Sequence, residues 1–135
     1  MAATVYLDAS FLMLSAKFHV DVVSEAERLL QGGVEFAIPA AVLKELETLG
    51  GNSGAPGRDA RVALALIRKR KIACVRSEKG SSADAALIVA SRLPKTIVAT
   101  ADHELRRKIR GAGRPVIFFR EKAKLELEGI EAGYW

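Results

Sequence analysis

Four acidic residues stand where their types and spacing could do chemistry. Asp8 interrupts the apolar stretch "TVYLDASFLM" (residues 4–13), and Asp102 ends the apolar run "TIVATAD". A carboxylate among such neighbours is unfavourable unless it is paired, hydrogen-bonded or bound to a cation. Two further acids fall on helix-like segments, Glu45 in "VLKELETL" and Asp84 in "SADAALIVA". Two carboxylates about 4 Å apart repel by roughly 4 kcal/mol at an effective dielectric near 20. A protein that gathers three or four must protonate some of them or bind a cation. Hard divalent ions take oxygen ligands, and Mg²⁺ held by a few carboxylates keeps waters free for a phosphate substrate. Such an ion stabilises charge on phosphoryl oxygens and lowers the pKa of a bound water, which is the chemistry of phosphodiester hydrolysis.

Each acid also has an ordinary use. Ser81 and Asp84 fit a capping box, in which the acid only satisfies helix N–H groups. Asp102 fits a plain N-cap for "HELRRK". Glu45 competes with Glu47, which flanks the same apolar face (Val42, Leu43, Leu46, Leu49) from its other side. Helical geometry alone leaves that choice open.

The elements that must position these residues alternate. Short apolar strands are predicted at Val5 to Leu7, Phe36 to Ile38, Ile97 to Ala99 and Val116 to Phe119, with a weaker fifth at Ile72 to Val75. Helices are predicted for "DVVSEAERLL", which stops at Gly32-Gly33, and for "PAAVLKELETL", "DARVALALIRKRK", "ADAALIVASRL" and "HELRRKIR". Pro39 suits a first helical turn, and glycines follow several predicted helix ends. Strands alternating with helices give an α/β fold on a mainly parallel sheet. Sites in such sheets form outside the C-terminal strand ends, so Asp8 and Asp102 are expected at one edge. "GGNSGAPG" (residues 50–57) is expected to be a mobile loop between two helices, ending in Arg58 turned toward the site.

The chain has 135 residues, half of them apolar, which suits one domain with a substantial core. Its one cysteine excludes an internal disulfide framework and a cysteine-rich zinc site. Cys74, in "KIACVR", is expected to be a small core residue, and such usage suits a reducing, cytoplasmic setting. No leader pattern opens the sequence and no run is long enough to span a bilayer, so no membrane association is expected. The formal charge is +5 and the pI about 9.6, which favours polyanionic partners. Basic residues cluster at Arg58 and Arg61, in "RKRK" (residues 68–71) and in "RRKIR" (residues 106–110). Arg58, Arg61, Arg106, Arg107 and Lys108 are therefore candidate contacts to a nucleic-acid backbone. His19 and His103 lack an arrangement that suggests catalysis.

The order of acids resembles that of the PIN-domain ribonucleases. The matching segments are "VYLDAS", "IPAAVLKELETL", "SSADAALIVAS" and "IVATADHELR", and the resemblance runs from Val5 to about Gly129. It implies a three-layer α/β/α sandwich over residues 1–129, with 130–135 as a tail, in which Tyr134 and Trp135 could dock. "RPVIFFREKAKLELEG" looks like the last strand and tail of compact archaeal members, akin to the branch that processes ribosomal RNA. Carried over residue by residue, Asp8, Glu45 and Asp84 form the acidic core and Asp102 the fourth member. Together they would bind Mg²⁺ or Mn²⁺ and cleave single-stranded RNA. The resemblance selects Glu45 over Glu47. Ser10 and Thr100 match small polar positions whose hydroxyls would orient a carboxylate or a metal-bound water. Two departures stand out: Ala101 replaces a common Asn, and Asp-Ala-Ser replaces the frequent Asp-Thr-Asn, which bears on fine metal geometry.

Competing readings differ in class. A VapC-type toxin would share the chemistry and need an antitoxin partner. A non-catalytic PIN module would bind RNA or join a ribosome-assembly factor, but such modules usually lose acids that this chain retains. A homodimer is compatible with either reading. A receiver domain needs paired early acids, and a haloacid-dehalogenase-like phosphatase needs Asp at position 10, where Ser10 stands.

Overall fold

The computed structural model describes residues 3–121 and 124–130. In chain order the elements are β1 (Ala3–Leu7), α1 (Ala9–Lys17), α2 (Val22–Leu29), β2 (Val34–Pro39), α3 (Ala40–Gly50), α4 (Gly54–Lys69), β3 (Ala73–Val75), α5 (Ala83–Ser91), β4 (Thr96–Ala99), α6 (His103–Gly111), β5 (Val116–Glu121) and β6 (Lys124–Glu128). One sheet has the order β3-β2-β1-β4-β5-β6. Its first five strands are parallel, and β6 returns antiparallel along β5. The mainly parallel α/β architecture is thus present. Among the described residues no helix is long and apolar enough to cross a membrane.

Helices cover both sheet faces, and β5 shows how. Phe118 and Phe119 alternate in direction along the strand. The Phe119 ring meets Phe11 and Phe18 of the α1 region, with centroids 5.0 and 5.8 Å away. Phe118 instead lies under the Arg106 guanidinium of α6, 3.5 Å from the ring centroid. The core between the layers is built from β1, β4 and β5 and from Phe11, Leu12, Leu46, Leu87 and Leu105, all fully buried.

Several elements depart from the sequence expectation. Helix α1 was hidden because its residues continue the apolar run of β1; Phe11 and Leu12 are fully buried and offer no polar face to read. β6 is a further strand where "RPVIFFREKAKLELEG" suggested one last strand followed by tail: "KLELE" alternates and buries Leu125. Beyond Ile130 the expected tail, with Tyr134 and Trp135, lies outside the described residues. Cys74 is exposed, not core, because β3 is the sheet's edge strand.

The expected mobile loop is mostly helix. α4 starts at Gly54, so only residues 51–53 connect α3 to it. A Cβ on Gly57 would lie 1.9 Å from the Asn52 carbonyl oxygen, which is why glycine allows this tight approach. Arg61 locks the turn by donating from Nη1 to the carbonyls of Gly50 (2.8 Å) and Asn52 (3.1 Å).

Candidate active site

β1 and β4 are neighbours in register, Leu7 opposite Ala99, and the chain leaves them in opposite directions across the sheet. That reversal is the position where open α/β sheets leave a crevice. Asp8 follows β1 there, with its backbone N–H bonded to the Ala99 carbonyl. It is the N-cap of α1, yet its side chain caps nothing, unlike Asp21 and Asp102 at the starts of α2 and α6. The carboxylate is turned instead toward two hydroxyls. Thr100 Oγ1 donates to Asp8 Oδ2 at 2.6 Å, and Ser10 Oγ donates to the same oxygen at 2.8 Å. The backbone N–H groups of Asp102 and Ala101 in turn donate to Thr100 Oγ1 (3.0 Å) and Ser10 Oγ (3.1 Å). With their lone pairs so engaged, both hydroxyls direct their protons at Asp8.

Asp8 is only 4% exposed. Burial raises its pKa, the hydrogen bonds of Thr100, Ser10 and the Ala9 N–H pull it back, and Asp84 raises it again; the net shift is upward. Glu45, on α3, is raised by partial desolvation and then by the charges of Asp8 and Asp84. Asp84 sits in the first turn of α5, on an exposed position. The capping-box expectation at this turn fails: Ser82 is the N-cap and accepts the Ala85 N–H, while Ser81 Oγ bonds the Ser82 carbonyl. Asp84 is therefore not consumed by capping.

Asp102 stands apart from these three. Its Oδ1 accepts from the N–H groups of Glu104 (2.8 Å) and Leu105 (3.2 Å), so the plain N-cap role is realised. Its link to the site runs through the backbone N–H that bonds Thr100.

Carboxylates are the oxygen donors that a hard divalent cation takes. Asp8, Glu45, Asp84 and Asp102 take part in no ion pair among the described residues, whereas Asp21, Glu25, Glu104, Glu126 and Glu128 each have an arginine. Asp8, Glu45 and Asp84, which act on one another electrostatically, thus have no paired cation among the described residues. Among the described residues no group of three or more His, Cys, Asp or Glu side chains is arranged so as to hold a metal ion. Any ion here would be held through one or two carboxylates and its own waters, as Mg²⁺ commonly is.

The basic residues divide. Arg106 lines a small cavity of about 120 Å³ together with Thr100, Asp102 and Phe118. It is also committed to Glu128, at 2.9 Å, and to the Phe118 ring. Arg106 and then Arg110 hold Glu128 below the usual carboxylate range, against a smaller opposing effect of burial. Arg107 pairs with Glu104 on the exposed surface, and Lys108 is exposed on the same helix. Arg58 does not face the acids. It lines a groove with Ala16, Lys17 and His19, at the end of α1 remote from Asp8. The nine residues of α1 put about 12 Å between its ends. Arg61 is spent on the α3–α4 turn.

Ser77 stands outside the sequence-predicted set. Ser77 Oγ accepts the Ala41 N–H and so serves the start of α3, where Pro39 has no side chain able to cap. Only the polar run "RSEKGSS" after β3 hinted at such a role.

A family model described as a PIN-like domain matches residues 5–122. The chain is 30% identical over 124 residues to Ribonuclease VapC4 of Methanocaldococcus jannaschii, spanning 91% of this chain and 95% of that protein. The solved PIN domain endonuclease Utp24 superposes with a TM-score of 0.80 at 23% identity, over 95% of this chain and 92% of that one. A domain of a functionally unknown protein from Methanocaldococcus jannaschii gives a TM-score of 0.61 at 18% identity, over 96% and 99% of the two chains. With a family model covering most of its length and a relative aligned almost end to end, the chain belongs to the PIN-domain family.

Proposed function

We propose that the protein is a divalent-metal-dependent endoribonuclease that hydrolyses phosphodiester bonds of single-stranded RNA. The observation that carries this reading is the uncompensated charge of three carboxylates. Burial raises Asp8, with a smaller push from Asp84, and burial and then Asp8 and Asp84 raise Glu45, with no cationic side chain paired to any of the three among the described residues. Asp8, Glu45 and Asp84 would hold Mg²⁺ or Mn²⁺, with Asp102 as a flanking fourth acid. When bound, the ion supplies charge neutralisation at the phosphoryl oxygens and an acidified water.

The chain's own residues do the positioning. Ser10 and Thr100 fix the Asp8 carboxylate and favour its ionised form. Asp102 anchors the start of α6, which sets Arg106 beside Asp102 and Thr100. Arg107 and Lys108 extend a positive face for the RNA backbone, and Arg106 joins them where the strand displaces part of its hold on Glu128.

Among biological roles, the 30% identity to Ribonuclease VapC4 supports a VapC-type ribonuclease; a cytoplasmic setting and an antitoxin partner belong to the same proposal. The likeness to Utp24, at 23% identity, is one of fold and does not bear on the alternative of ribosomal RNA processing. Incubation of the purified chain with end-labelled single-stranded RNA should give discrete fragments in Mn²⁺ or Mg²⁺ and none after chelation. Intact RNA under all metal conditions would refute the reading.

A further inference from the structure

An open groove runs along one flank of α6, lined by His103, Arg106, Arg107, Arg110, Gly111 and Glu128. We propose that it is a second phosphate subsite for the RNA strand, filled in the free protein by the Glu128 carboxylate, which a backbone phosphate displaces; this rests on the ribonuclease reading above.

The groove is continuous with the acidic edge. His103 and Arg106 line both it and the small cavity walled by Thr100 and Asp102, and Thr100 is bonded to Asp8. Arg106, Arg107 and Arg110 follow His103 by three, four and seven residues, which puts all four on one helix face. Seven residues of helix span about 10 Å. The groove therefore takes a phosphate flanking the one at the acids, not the scissile group itself.

Glu128 demonstrates that the groove accepts an oxyanion. Arg106 Nη2 donates to its Oε2 at 2.9 Å and Arg110 Nε approaches its Oε1 at 3.2 Å, so each carboxylate oxygen faces its own guanidinium. A phosphate offers paired oxygens to the same donors. The backbone after Glu128 is fitted to this contact. Gly129 has φ +101°, and a Cβ on it would overlap the Arg110 guanidinium. The Glu128 side chain nevertheless stays 38% exposed, so a competing anion can reach the arginines.

Neither arginine depends on Glu128 alone for its place. Arg106 lies over the Phe118 ring, 3.5 Å from the centroid, and Arg110 Nη1 donates to the Arg114 carbonyl at 3.1 Å. Guanidinium groups held by other contacts stay aligned when the carboxylate leaves. The site is thus formed before RNA arrives, which lowers the ordering cost of binding.

Fluorescence anisotropy of the full, metal-free chain with a single-stranded oligoribonucleotide in chelator tests this. Glu128→Gln keeps the side-chain shape and removes the competing charge. It should bind RNA about fivefold more tightly, the upper range for releasing a partly exposed ion pair. Arg110→Gln should weaken binding and flatten the log–log salt slope by about 0.7, one phosphate contact, and Arg110→Lys should restore the slope. The gain from Glu128→Gln should vanish when Arg106 and Arg110 are both replaced by Gln. A titration of the parent with inorganic phosphate, read by NMR at the arginine Nε–Hε groups, gives an answer without any substitution: Arg106 and Arg110 should shift ahead of Arg61 and Arg114.

Unchanged or weaker RNA binding by folded Glu128→Gln, or phosphate shifts that spare Arg106 and Arg110, would overturn the proposal. So would a gain that persists without the two arginines, since the charge would then act only through the general field. Polyglutamate competing as well as RNA would overturn it too, assigning the groove to an acidic protein partner. RNA cleavage by the parent, with no tighter binding by Glu128→Gln, would remove the subsite and leave the nuclease reading. Tighter binding by the variant, with no cleavage by the parent in any metal, would do the reverse.

Discussion

Thr100 and Asp8 lie 92 positions apart in the chain, and the Thr100 hydroxyl donates to the Asp8 carboxylate at 2.6 Å. The bond spans the ends of β4 and β1, the two strands between which the sheet's connectivity reverses. A buried carboxylate at that crevice is oriented by hydroxyls whose own protons are steered by backbone N–H groups. The arrangement favours ionised Asp8 against the combined effects of burial and Asp84.

Replacing Thr100 by Val keeps the shape and removes the donor. A hydrogen bond to a charged group contributes about 1.5–3 kcal/mol, so Thr100→Val should lose about that much stability at neutral pH. The Asp8 pKa should rise further. Thermal unfolding and the NMR titration of Asp8 measure the two effects; an unchanged Asp8 titration would mean that the hydroxyl has no hold on the carboxylate.

Stability should respond to pH in opposite senses at two acids. The native pKa of Glu45 is raised by desolvation and by Asp8 and Asp84. Its ionisation therefore costs stability only as pH climbs through that raised value. Glu45→Gln should stabilise the metal-free protein at neutral pH and bring no gain below the ordinary value of 4.5. Asp21 is the converse: burial opposes ionisation, but Arg70 and the N–H groups of Ser24 and Val23 outweigh it. Its contribution is present above 3.8 and is lost as pH falls through the lowered native value. Asp21→Asn should destabilise at neutral pH, with the difference vanishing in acid. Denaturant titrations of both variants at pH 3 and pH 7 read the signs, and a shared sign would contradict the assignment.

The contrast between those acids explains how much was legible from sequence. The strands ending at Leu7 and Ala99 could be read from apolar runs bounded by Asp8 and Asp102, and they fixed the edge where the acids stand. Helix α1 could not, since its inward residues merge with the preceding strand in one hydrophobic stretch. Glycines in "GGNSGAPG" read as flexibility, yet Gly57 serves close packing, which depends on Asn52 and Arg61 being folded against it. Arg58 and Arg61 looked equivalent to Arg106 in composition. Only tertiary geometry separates a guanidinium beside Thr100 and Asp102 from one spent on a turn.

RNA affinity should fall with salt along a log–log slope of about −0.7 per phosphate contacted on a single strand. Arg107→Gln and Lys108→Gln should flatten that slope with little loss of stability, because an exposed pair such as Arg107–Glu104 contributes about 1 kcal/mol or less. Arg106→Gln should flatten the slope and also destabilise, since it releases Glu128 and Phe118. Fluorescence anisotropy over a salt series measures the slopes, and unchanged slopes would make these residues a solvated helix face.

The central claim is that Asp8 is kept for chemistry at a cost to the fold, and Asp8→Asn tests it most directly. RNA cleavage and metal-free thermal stability should be measured on the same preparation in Mn²⁺ or Mg²⁺ and in chelator. The account predicts a variant more stable than the parent at neutral pH, with no stabilisation by metal. Its cleavage should fall at least about a hundredfold, the upper range for loss of even an outer-shell metal partner. A variant that cleaves as fast as the parent, or one that loses activity only because it unfolds, would contradict it.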